Sequence, residues 1–317
     1  MNLRRLLGLF ACFILSTPNL WAASCCGGGG GGALVLPKMN EAMTSGTFSI
    51  ESYHGFWDQS GQFHNDPAGS DLNQTRASFG AAYRLAPRWQ AYGTGSWVKN
   101  KNRYEGVNSN TEGPGDALLG LWYEGFDQVT CVWKVYSVAD LKPAIYWGLA
   151  VSLPTGISPY DEVANSFDIT GRGFYGVSGK LRIEKTIYPF SAGLALDFTR
   201  HLERPVNREY GNWVEPYRKQ LGDRLSAGFN LGYVWFFENQ DEFSLTWAIT
   251  DLNENQAQIN QVEDPTTGMH LKSQGLSASL GKAERDWIFK AGIDQGTSGT
   301  NFPKTQTISI GVTYVFP

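Results

Sequence analysis

From residue 46 onward the chain repeats one pattern, in which apolar and polar side chains alternate over segments of about ten residues. Phe190, Ala192, Leu194, Leu196 and Phe198 fall on one parity, against Ser191, Gly193, Ala195, Asp197 and Thr199 on the other. Leu225, Ala227, Phe229, Leu231, Tyr233 and Trp235 do the same, as do Phe243, Leu245, Trp247 and Ile249. The last segment sets Ile308, Ile310, Val312, Tyr314 and Phe316 against Thr307, Ser309, Gly311 and Thr313. A period of two is the period of a strand, so the chain reads as all-β.

The next question is which solvent the apolar face meets. A soluble sandwich also alternates, but its outer face carries Lys and Glu, whereas the polar parity here is mostly small residues. Charged residues make up 18% of the chain, below the roughly 25% of average soluble proteins. Connection lengths alternate as well. Strands are predicted at 46–57, 73–85, 89–100, 116–126, 142–153, 173–185, 188–200, 224–237, 242–252, 270–281, 286–294 and 305–316. Short joins are expected at 86–88, 186–187, 239–241 and 283–285. Longer joins, rich in Gly, Asn, Asp and Pro, are expected at 61–71, 107–115, 155–172, 201–223, 253–268 and 296–304. Short turns on one side and long loops on the other are the habit of outer-membrane barrels.

In hydrocarbon every backbone N–H and C=O must be paired, which only helices and closed barrels achieve. No segment reaches the roughly 20 apolar residues of a spanning helix. The expectation is therefore a closed antiparallel up-and-down transmembrane β-barrel of about twelve strands, with both termini in the periplasm. Trp57, Trp97, Trp147, Trp235 and Trp287 are expected in the aromatic girdles. The join at 127–141 is longer than its place in the alternation calls for, and reads as an extra hairpin arm or a plug. A parity change between Leu271 and Leu276 suggests a bulge at Gln274–Gly275.

The N-terminus reads as an export signal over residues 1–24: Arg4 and Arg5, an apolar stretch at 6–15, Pro18, then small residues at 22–24. Residues 25–45 follow as a tether, whose Gly27–Gly32 run gives 33–45 the reach to enter the lumen as a plug. Residues 46–317 form the barrel. Ordinary cleavage near 22–24 would leave Cys25, Cys26 and Cys131, too few for a disulfide framework. The net charge of −4 excludes the basic face of a nucleic-acid binder.

The histidines are His54, His64, His201 and His270. None has Ser two positions later, the pair with which barrel hydrolases activate a nucleophile. His270 and Ser273 fall on opposite strand faces. His64 and Asp66 read as a solvated loop. Metal-ligand spacings and phosphate-binding glycine patterns are absent from the sequence, so no metal, cofactor or enzymatic activity is expected, an outer-membrane hydrolase being the remote alternative. What remains is the inward parity: Arg76, Arg84, Lys180, Arg182, Glu184, Asp197, Lys290 and Asp294 are candidates for a lumen or its rim, since charges in membrane structures face water or one another. They would form either a mixed-charge constriction or a salt-bridge network that fills the barrel.

Three resemblances add to this reading. Ser309, Gly311, Tyr314 and Phe316 resemble the C-terminal signal by which Gram-negative outer-membrane proteins are read by the barrel-assembly machinery; Pro317 adds one residue beyond the usual terminal Phe. Residues 22–25, AASC, resemble a lipobox, which implies lipidation of Cys25 and would leave Cys26 and Cys131 to pair. Residues 147–156, WGLAVSLPTG, with Gly171–Arg172–Gly173 and the stretches 180–185 and 189–197, resemble the meta-pathway phenol-degradation transporter-like family. That resemblance implies an outer-membrane barrel passing small, often apolar compounds. The expected partners are outer-membrane lipid, the assembly machinery and a small hydrophobic solute. The alternative is a structural or surface-interaction barrel with a sealed lumen and partner-binding external loops.

Overall fold

The computed structural model describes residues 34–316, apart from 39, 105, 126–130 and 283–285. The export signal, Cys25, Cys26, the glycine run and Pro317 lie outside the described residues. The described chain forms a closed antiparallel barrel of twelve strands, as the alternation predicts. They are β1 (Ala42–Trp57), β2 (Asp71–Ala86), β3 (Trp89–Tyr104), β4 (Val107–Pro114 continuing as Ala117–Glu124), β5 (Ala144–Leu153) and β6 (Gly176–Ile187). The ring continues with β7 (Phe190–His201), β8 (Arg224–Phe236), β9 (Glu242–Glu254), β10 (Met269–Gly281), β11 (Trp287–Thr300) and β12 (Phe302–Phe316).

Each strand pairs with its sequence neighbours, and β12 pairs with β1 from Ala42↔Phe316 to Trp57↔Phe302. That seam leaves the main sheet without an open edge. Parity then fixes what faces out. Phe79, Leu149, Phe190, Leu231, Trp247 and Ile310 are exposed on the outer wall, while their neighbours Ser78, Ser191, Thr246 and Ser309 line the interior. An exposed apolar band of this extent has to be covered by something apolar, as lipid does for outer-membrane barrels. At the end with the short turns the outer wall carries touching aromatics: Trp89 with Tyr123, Trp235 with Phe243, and Trp287 with Tyr314, at centroid distances of 5.0, 5.4 and 4.8 Å.

The structure departs from the sequence expectations mainly where strands rise beyond the apolar band. β1 begins at Ala42, so residues 42–45 belong to the wall. The stretch 107–114, expected as a loop, continues β4 and pairs with β3 up to Tyr104↔Val107. The join expected at 296–304 shrinks to Asn301, which holds a positive φ of 49° between β11 and β12. Above the band both strand faces are wet, so hydrophobic alternation fades while backbone pairing continues. The bulge expected at Gln274–Gly275 is not there, because β10 pairs with β9 without a break. The register shift lies between β10 and β11, beside Lys272 and Ser273. Leu271 breaks the outward parity because it sits on the inner side next to Gly296, which also packs against Trp57. Trp57 is accordingly buried at 6% and is not a girdle residue.

The described residues of the join between β4 and β5, from Cys131 on, form neither a full hairpin arm nor a plug. Cys131 and Val132 pair in parallel with Thr186 and Ile187, and Val138–Leu141 form a 3₁₀ turn. At the long-loop end, two hairpins (Arg204–Glu209 with Asn212–Gln220, and Ala257–Ile259 with Val262–Asp264) join into a separate four-stranded sheet.

Candidate functional site

Segments of the chain fold into the interior at both ends, with a cavity between them. At the short-turn end, residues 34–37 enter the barrel. Leu36 is fully buried and Val35 nearly so, against Met43, Ala82, Tyr92, Trp122, Tyr146 and Val315. Their backbone groups would be stranded away from water there, and inward side chains satisfy them. Leu36 N donates to Gln90 Oε1 at 2.8 Å, and Gln90 Nε2 returns a bond to Leu36 O at 3.1 Å. Trp122 Nε1 donates to Leu34 O at 2.9 Å. Arg84, one of the expected inward cations, donates to Pro37 O and Asn40 O and lies 3.7 Å from buried Glu124, which Lys38 also approaches at 3.4 Å.

At the other end, the connection from β5 to β6 folds inward. Asp116, in the break of β4, accepts from the backbone N–H of Gly156 at 3.1 Å and of Arg172 at 2.7 Å. Thr155 Oγ1 donates to Gly115 O, and Thr170 Oγ1 to Pro114 O. Gly156 and Gly171 are in close contact: a Cβ on Gly156 would lie 2.6 Å from Gly171 Cα. Only glycine allows this approach of two backbones. The Pro-Thr-Gly and Gly-Arg-Gly stretches noted in the sequence therefore meet in space, around one carboxylate. Arg172 then reaches to β9, where its two Nη atoms bond Glu254 Oε2 at 2.7 Å and Oε1 at 2.5 Å. Glu254 is 4% exposed. Tyr160, Phe174 and Val206 seal the far side of this connection against the hairpin, and Arg204 stacks over Tyr160 at 4.6 Å.

Between these inward segments lies a cavity of about 470 Å³, within the range of small-molecule sites. Much of its wall is small and hydroxylic, including Ser45, Thr47, Ser191, Ser277 and Ser309. Of the charges singled out in the sequence, Arg76, Arg182, Glu184 and Lys290 line it, joined by Asp116. Arg76 also donates to Gln74 Oε1 at 2.7 Å and Ser96 Oγ at 3.4 Å. The remaining four lie elsewhere. Lys180 and Asp197 face each other across β6 and β7 as an ion pair. Asp294 accepts from Ser273 Oγ at 3.4 Å, and Arg84 belongs to the short-turn closure. Gln90, Asp116 and Trp122 carry at most an inward parity in the sequence, and Arg172 enters it only within the Gly171–Arg172–Gly173 stretch of the family resemblance. The partners of all of them lie tens of residues away, so no local pattern marks the contacts.

The histidines occupy other positions. His64 Nε2 lies 2.8 Å from Asp58, His270 Nε2 lies 3.0 Å from Asp251, and buried His201 Nδ1 lies 3.0 Å from Gly222 O. In the loop after β1, hydrogen bonds from His64 and then Ser60 hold the Asp58 carboxyl well below the usual carboxylate range. Among the described residues no group of three or more His, Cys, Asp or Glu side chains comes together as a metal site.

The sequence matches no established family model and no curated protein. The fold is similar to that of the COG4313 outer membrane channel from Pseudomonas putida F1, with a TM-score of 0.68 at 12% identity over 92% of this chain and 100% of that one. It is also similar to the beta domain of the Bordetella autotransporter Brka, with a TM-score of 0.52 at 12% identity over 87% of this chain and 100% of that one. At such identities the likeness is one of fold. This chain is built as outer-membrane β-barrels are.

Proposed function

We propose that the chain is an outer-membrane channel for small solutes, held shut at its periplasmic, short-turn end by residues 34–37 and at its outer end by the inward β5–β6 connection. The observation that carries this reading is the cavity between the two closures. Each closure joins a few polar contacts, which water can replace, to a small apolar cluster. The similar solved barrel from Pseudomonas putida is described as a channel, which supports the same reading here.

The resemblance noted in the sequence implies small, often apolar cargo. The wall narrows that. A wholly apolar solute would strip water from the hydroxyls and from Arg76, Arg182 and Lys290 without replacing the hydrogen bonds, at a cost of roughly 1–3 kcal/mol per polar group. The cargo this wall suits is a small compound carrying at least one polar group.

The filled ends also favour a second reading, a sealed barrel whose loops bind a partner. Planar-bilayer conductance and liposome swelling separate the two. The barrel lacking residues 25–38 is expected to conduct and to admit small polar solutes more freely than the whole mature chain. Absence of ion and solute flux in both forms would sink the channel reading and leave the sealed barrel.

A further inference from the structure

We infer that residues 133–141, in the connection between β4 and β5, form a rigid foot that rests on the phospholipid leaflet at the short-turn end. This rests on the membrane placement of the barrel and goes beyond it, because a connection at that end would ordinarily sit in water. The other described short-turn connections expose mainly polar residues such as Arg88 and Gln240, with a single apolar side chain, Phe237, in the turn at 237–241. This one exposes Trp133, Tyr136, Val138 and Leu141. Tyr136 and Val138 are 83% and 81% exposed, more than lipid-facing Phe79 at 62%. Apolar groups held this far out mark a surface built to be covered.

The segment is held in place rather than loose. Cys131 and Val132 are paired to the end of β6, and Tyr188 N donates to Val132 O at 2.9 Å. Trp133 packs on Tyr188 and Phe236 at 4.5 and 5.1 Å. The Asp140 carboxylate accepts from the backbone N–H of Tyr136 and of Ser137 at 2.9 and 2.8 Å, and those bonds hold its pKa below the usual range.

Charge selects lipid as the occupant. Lys134 and Lys142, both exposed, flank the 3₁₀ turn. Asp140, the one acid in 131–143, is engaged with backbone, so the segment presents these cations beside exposed Tyr136 and Val138, an amphipathic placement suited to the headgroup boundary of anionic phospholipid.

The test places p-benzoyl-phenylalanine at Tyr136 or Val138 of the full chain, with Leu141 as a second site should either variant fail to assemble. Phe79 on the outer wall and Gln240 in another short turn serve as references. Cells are irradiated and the purified protein is weighed intact. The expected result is a mass shift of one phospholipid at 136, 138 and 79, and none at 240. A protein adduct at 136 and 138, or no adduct there while Phe79 captures lipid, would overturn the foot. Loss of lipid capture at Phe79 as well would overturn the membrane placement itself.

Discussion

Replacing Arg172 by Met removes both bonds to Glu254 while keeping most of the side-chain volume. Hydrogen bonds to charged groups contribute about 1.5–3 kcal/mol each, and removing one partner of a buried pair costs about 3–5 kcal/mol because the other charge is stranded. Glu254 is stranded only in part, since Arg224 is its register partner across β8 and β9. The lower figure of about 3 kcal/mol is therefore the expected loss. At 1.4 kcal/mol per factor of ten, that is roughly a hundredfold rise in the opening equilibrium of the β5–β6 connection. Hydrogen exchange reads it directly. The amides of Thr170 and Gly171, which donate to Ile157 O at 2.8 and 2.9 Å, should exchange about 100 times faster, with the centre of β7 unchanged. In single-channel records the same variant should spend more time open. Glu254→Gln supplies the second arm of a cycle, and the double variant should lose clearly less than the sum of the single losses. If exchange at 170 and 171 stays within about threefold of the parent, or the two losses simply add, Arg172 does not hold this loop.

Three further outcomes are expected. Gly171→Ala places a Cβ 2.7 Å from Gly156 Cα, an overpacking that should cost about 1–3 kcal/mol and lower the melting temperature; an unchanged melting temperature would mean that the two backbones separate freely. His64→Ala removes the largest cause of the low Asp58 pKa, so the carboxyl should titrate closer to an ordinary aspartate by NMR. Because the folded-state pKa is depressed, the stabilisation from this group is complete above the ordinary value near 3.8 and is lost as pH falls toward the folded one. Acidification below about pH 4 should therefore loosen the 58–64 loop in the parent first; no change in its exchange between pH 6 and pH 3 would count against the pair. Replacing Tyr314 and Phe316 together by Ser removes the aromatic contacts to Trp287 and to each other at 4.8 and 4.7 Å and should reduce heat-modifiable barrel in membranes, whereas wild-type yield would refute the reading of that terminus.

The wall of the barrel was legible because one face of each strand has to satisfy hydrocarbon. Phe190 to Phe198 and Ile308 to Phe316 show that demand as a plain period of two, and the number and pairing of strands followed from it. Where the demand ends, the signal ends. Lys99, Lys101 and Arg103 on β3 face the solvent side above Trp97, so nothing apolar marked the strand there, although its pairing with β4 continues. The inward charges were legible as a parity, and their contacts were not. Asp116 acquires its role from Gly156 and Arg172, 40 and 56 positions away, and Arg172 acquires its own from Glu254, 82 positions away. The family resemblance had marked the glycines at 156 and 171. The reason for them is the contact between two backbone segments, which no local pattern encodes.

The seam between β1 and β12 has a consequence for how such a chain travels. Ala42 and Phe316 are the first and last paired positions of the ring, so nearly the whole polypeptide lies between the two halves of this one ladder. The entropic cost of bringing them together grows only with the logarithm of length, about 5 kcal/mol for a loop of this size. The greater hazard lies in the interval before closure. Until β12 arrives, β1 and the newest strand each offer a row of free donors and acceptors to any other extended chain. Lipid gives those rows nothing to bond. Entry into the bilayer and closure of the ring must therefore be completed together, and a chain cut short within β12 loses the closed ring along with the strand.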